Sequence, residues 1–124
     1  MALAVLVVIG VFAFIMFKNR KPETSSFSTA EQTSQENKVT YTNSGYSPSE
    51  LKVEVGATVT FINQSDSNMW TASNPHPIHT DHPAFDSRRA VTKGETYEFT
   101  FEETGTYDYH NHLSPQHEGT IKVE

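Results

Sequence analysis

The chain has 124 residues, no cysteine, and nine Lys or Arg against fifteen Asp or Glu, a formal net charge of −6. Without cysteine there can be no disulfide, no thiolate metal ligand and no cysteine nucleophile. The negative balance excludes nucleic acid as a partner and favours a cation or a basic protein.

Composition divides the chain into three parts. Residues 2–17 are an uninterrupted run of apolar or glycine residues, which as a helix would rise about 24 Å, slightly less than a bilayer's hydrocarbon thickness. The run is expected to be a transmembrane or signal-anchor helix. No basic stretch precedes it and no A-x-A cleavage site follows it directly, which favours an anchor over a cleaved signal peptide. Lys18, Arg20 and Lys21 follow it, on the side where the positive-inside rule disfavours export; the expectation is nonetheless an extracytoplasmic domain, in the periplasm or at the cell surface. Residues 18–37, rich in Ser, Thr, Glu and Gln, bury too little apolar surface to fold and read as a flexible polar linker.

From residue 38 to 124 the pattern changes to short segments of alternating β-branched and aromatic residues between Gly, Asn, Ser and Pro. Strands are predicted at Val39 to Thr42, Leu51 to Val55, Thr58 to Asn63, Thr96 to Phe101, Thr106 to His112 and Thr120 to Val123. No stretch keeps a 3.6-residue apolar period, so the fold class is all-β, a Greek-key β-sandwich. Gln64 to Thr92 shows no regular pattern and is expected to be a long functional loop.

All six histidines fall in two short clusters, His76, His79 and His82 in NPHPIHTDHP within that loop and His110, His112 and His117 in YHNHLSPQH at and beyond the end of the fifth predicted strand. Clustered imidazoles point to a metal ion, since imidazole ligates copper, zinc, iron and nickel alike. On the predicted strand, His110 and His112 project to one face, with Cα atoms about 7 Å apart, and Tyr107, Tyr109 and Asn111 project to the core. Pro77, with its fixed φ, stiffens the segment between His76 and His79. The expected site holds one metal through His76, His79, His110 and His112. All-imidazole ligation favours Cu(II) over Cu(I), with zinc as the other candidate. Asp81 or Asp86 could orient a ligand imidazole, and Trp70 and Phe85 are expected to pack beneath the loop.

The segments SPSELKVEVGATVTFIN, KGETYEFTFEETGTYDYH and EGTIKVE resemble strands of the cupredoxin family (plastocyanin- and azurin-like domains). The resemblance implies a copper site in the loop between the last two strands. Here Asn111 stands where the family's cysteine is expected, no methionine lies between it and the closing strand, and Trp70 lies near the usual place of the earlier histidine. A thiolate-based blue site is excluded.

The short motifs H-P-I-H (His76 to His79) and H-N-H (His110 to His112), with trailing His117, are similar to ligand motifs of multicopper oxidases. That likeness implies His79, His110 and His112 as type 2/3-like ligands, with His76 and His117 matching a type 1 set that has lost its cysteine. The functional expectation is copper handling or electron transfer, with a redox or copper-trafficking partner. The alternative is a subunit of an oligomeric copper oxidase or reductase sharing a type 2 or multinuclear centre.

Overall fold

The computed structural model describes residues 37–124; the anchor expected at 2–17 and all but the last residue of the expected linker lie outside the described residues. Within them the chain forms eight strands and no helix. These are β1 (Lys38–Thr42), β2 (Gly45–Ser47), β3 (Glu50–Val53), β4 (Ala57–Asn63), β5 (Thr71–Ser73), β6 (Thr96–Phe101), β7 (Gly105–Asn111) and β8 (Ser114–Val123). One sheet runs β2-β1-β4-β6 and the other β3-β8-β7-β5. The pairing β1 with β4 and β3 with β8 is parallel, and the remaining neighbours are antiparallel.

Alternation decides which residues enter the core. Val39 and Tyr41 of β1, Val59 and Phe61 of β4, and Ile121 and Val123 of β8 are buried, while the residues between them are partly or fully exposed. The centre is aromatic: Phe61, Phe85 and Tyr109 pack with ring centroids 5.3 to 5.7 Å apart, within the range where tilted and edge-to-face contacts are favourable. Tyr109 lies over Gly119, its register partner on β8, where an added Cβ would collide with the phenol ring.

Two strands were not expected, β2 and β5. Each has three residues, GYS and TAS, too short for a period to show. β8 is longer than expected because it begins at Ser114, before Pro115 and Gly119, residues that read as breakers in sequence. The segment expected to be irregular is therefore partly ordered: β5 adds to the edge of β7, and Ala72 bridges onward to Asp86. Main-chain bonds from Ser73 to Phe85 and from Ser87 to Thr71 hold residues 85–87 alongside β5. There Phe85 turns into the core and Asp86 turns to the outer face.

Candidate metal centre

β7 ends in Tyr109-His110-Asn111, and the predicted alternation holds: Tyr109 and Asn111 are buried between the sheets, and His110 lies on the outer face. That face is covered. His110 is only 1% exposed, because residues 74–86 fold back across the end of β7 and bring Asn74, His76 and His79 against its ring.

The covering loop is closed by main-chain bonds from His79 N–H to the Pro75 carbonyl, 2.8 Å, and from Asp81 N–H to the Asn74 carbonyl, 2.9 Å. His79 adopts φ of 53° to complete the turn, a left-handed conformation that histidine tolerates better than most side chains. The result brings His76, His79, His110 and His112 together, each with one ring nitrogen within 4.8 Å of the others'.

Closest approaches are His79 Nε2 to His112 Nδ1 at 3.0 Å and His76 Nδ1 to His110 Nε2 at 3.3 Å. Imidazole nitrogens bound to one ion at about 2.0–2.1 Å must lie roughly 3 to 4 Å from one another. Both closest approaches fall in that range, and since all four nitrogens lie within 4.8 Å of one another the rings need only close in slightly to meet one first-row ion.

The opposite ring nitrogens show which atoms are free to ligate. His79 Nδ1 is 2.9 Å from Asp86 Oδ2, and His110 Nδ1 is 2.7 Å from Asn74 Oδ1. An acceptor at Nδ1 fixes the proton there and directs the Nε2 lone pair to the ion. Asp86 also accepts from the Trp70 indole through Oδ1 at 2.8 Å and from the Arg88 main-chain N–H. The Trp70 ring in turn packs against His112 at 4.8 Å, and the Trp70 carbonyl accepts from the His112 N–H. Between them, Ala72, in register with both His110 and Asp86, presents only a methyl group.

Electrostatics favour the neutral, lone-pair-bearing form of His110 and His112. Burial, followed by the neighbouring histidines, lowers the His110 pKa to about 4, and the same causes lower that of His112. Burial by itself would raise the Asp86 carboxyl, but the hydrogen bonds from Trp70, Arg88 and His79 outweigh it and hold the group below its ordinary value.

The remaining candidates lie elsewhere. His117 faces the space between the sheets and bonds through Nδ1 to the Tyr41 hydroxyl at 2.8 Å, with Gly45 close against its ring. The pairing of His76 with His117 suggested by the oxidase motifs is not the arrangement found, since His76 joins the other three. His82 packs on Tyr107 and Phe99. At the position expected for cysteine, the Asn111 amide oxygen accepts from the main-chain N–H groups of Trp70 and Leu113, and its nitrogen donates to the Asn68 carbonyl. That amide is spent on bracing the loop. Asn74 was not singled out in the sequence, where a lone Asn before proline reads only as a turn residue.

A family model described as "Cupredoxin-like domain" matches residues 5–123. The chain belongs to the cupredoxin-like domain family. Amicyanin from Paracoccus denitrificans is 33% identical to this cupredoxin over 130 residues, covering 100% of this chain and 92% of that protein. Among solved structures, a purple cupredoxin from Nitrosopumilus maritimus is 26% identical with a TM-score of 0.61, covering 70% of this chain and 98% of its own. A reduced Cu(I) form of an amicyanin variant is 32% identical, also with a TM-score of 0.61, over 70% of this chain and 80% of that one. The copper named in that structure belongs to amicyanin, whereas this cupredoxin carries a four-histidine cluster and no cysteine.

Proposed function

We propose that this domain binds one copper ion, as Cu(II), through His76, His79, His110 and His112, and that it serves copper handling rather than rapid electron shuttling. The observation that carries this reading is the convergence of four imidazole nitrogens within 4.8 Å, two of them aimed by acceptors on the far side of their rings. The donor set is borderline in softness and lacks the thiolate and thioether that stabilise Cu(I), so Cu(II) is the favoured state. The relationship to amicyanin, a structure of which is described as a Cu(I) form, supports copper over zinc. When bound, copper would supply a one-electron couple and Lewis acidity at the end of β7. The chain's own contribution is to hold four imidazole rings in place and to exclude water from two of them. Residues 2–17, read as an anchor, would hold the domain on the extracytoplasmic side, where a copper-trafficking or redox protein would be its partner.

The test is a titration of the purified domain with Cu(II) and, separately, Zn(II), followed by electron paramagnetic resonance of the copper-loaded form. One equivalent of Cu(II), bound more tightly than Zn(II) and with nitrogen hyperfine structure from imidazoles, is the expected result. Absence of stoichiometric binding, or binding unchanged in the His110→Ala, His112→Ala double variant, would overturn the proposal.

A further inference from the structure

The four rings are not held equally. His110 is buried and tied to Asn74, and His79 is buried and tied to Asp86. His112 is anchored through its main-chain N–H and by its ring contact with Trp70. His76 is exposed. Among the described residues its ring bonds only to His110, and its ring-to-ring contacts are with His110 and His112, its fellow ligands. Its neighbour Ile78 is 65% exposed, so the H-P-I-H segment has solvent on its outer side.

We infer that His76 is the exchangeable ligand of the site, the group through which copper is taken up and passed on. This rests on the four-imidazole reading above and deepens it by assigning an order to the ligands. A ring without an acceptor behind it gains no directional restraint from the protein, so rotation about its own side-chain bonds costs little beyond the lost ligand bond. The other three rings would each have to break a hydrogen bond or leave a packed surface. When the His76 imidazole swings out, one coordination position opens on the solvent side while His79, His110 and His112 keep their places. An acceptor offering nitrogen or oxygen donors can then enter at that position. The exchange is one lone pair for another, with no change of oxidation state. The class of partner is a copper acceptor with histidine or carboxylate donors at its own surface.

The experiment follows release of Cu(II) from the loaded domain into EDTA by stopped-flow absorbance. Release from the unaltered protein should accelerate with EDTA concentration, because the chelator enters where His76 leaves. His76→Ala should release copper at least about tenfold faster, and added imidazole should restore slow release by filling the open position. In His110→Ala imidazole should restore nothing, because that ring sits beneath the loop; His112→Ala, packed on Trp70, is the second comparison should the buried variant not fold. Release from His76→Ala at the unaltered rate, or imidazole rescue equal at all positions, overturns the assignment. Equilibrium titration is read separately: if the unaltered domain binds no stoichiometric copper, the underlying reading fails, and if it binds normally but the rates do not separate, only the ligand order fails.

Discussion

Asp86 is the residue on which most of the site's geometry converges, since one carboxylate accepts from His79, from the Trp70 indole and from the Arg88 main chain. Replacing it by Asn keeps the size but leaves one oxygen where there were two acceptors, so His79 or Trp70 loses its partner. Asp86→Asn is expected to weaken Cu(II) binding about 10- to 100-fold, the usual range for groups that orient a metal-bound histidine, measured by competition titration. His117 makes the contrast. Bonded to Tyr41 and facing between the sheets, it should tolerate alanine with less than about a tenfold loss of copper affinity, a difference below roughly 1.4 kcal/mol. His112→Ala should cost far more, and equal losses from the two would place His117 among the ligands. The clustering of these histidines was plain in the sequence, and so was the face that His110 and His112 share, because strand alternation is a strict rule. The joining of His76 and His79 to these two was expected as well, and the structure brings the four together; what was not plain is which groups hold the rings from behind. Short motifs placed His76 with His117, but a motif carries no information on where a loop crosses a strand. Asn74 and Asp86 acquire their roles only through contacts with His110 and His79 that depend on that crossing.

At the scale of the element, the loop between β4 and β6 owes its position to Phe85, buried among Phe61, Phe101 and Tyr109. Phe85 directly precedes Asp86, so the core contact and the outer-face contact are two consequences of one stretch of extended chain. Phe85→Ala should destabilise the domain by about 3–5 kcal/mol in urea unfolding. It should also weaken copper binding, although Phe85 touches no ligand. The cross-strand pair Tyr109 and Gly119 gives a second expectation, because any Cβ at 119 meets a ring enclosed on every side. Gly119→Ala should cost about 1–3 kcal/mol by overpacking, which a urea midpoint would report, and the combination Gly119→Ala with Tyr109→Phe should recover little, since the collision includes the ring carbons. Six strands could be read from periodicity, and they are the ones with four or more residues and branched or aromatic side chains. β5 escaped because Thr71, Ala72 and Ser73 are small and all buried, so no contrast between faces existed to be read. Of the three, Ala72 is in register with His110 and leaves room for the histidines above it.

For the molecule as a whole, burial of His110 and His112 makes folding sensitive to acid. The unfolded chain's histidines take up a proton near pH 6.5, whereas His110 in the fold resists it down to about 4. Between these values the unfolded state binds the extra proton, so stability of the metal-free domain falls as pH is lowered through this window and is insensitive to these groups above it. Urea midpoints between pH 8 and pH 4 would show this slope; a flat profile would contradict the burial of His110. Copper loading should shift the fall to lower pH, because binding only the native form stabilises it.

The parallel pairing of β1 with β4 also settles which end of the sandwich the preceding chain enters. Lys38 lies beside Thr60 and Tyr41 beside Asn63, and Asn63 bonds to Ser67 and Val91 of the loop that carries the site. Tyr41 likewise touches His117 at the start of β8, close to the turn after the ligands. Lys38 is therefore about three residue steps, on the order of 10 Å, farther from the ligands along the strand direction than Tyr41. A domain grafted to a bead or an electrode through its N-terminus presents the histidines to the bulk phase, and its copper uptake should match that of the free protein. Grafting instead through Leu113→Cys, an exposed position beside His112, turns the same histidines toward the support and should slow uptake, so the point of attachment alone would decide whether the immobilised domain works as a copper scavenger.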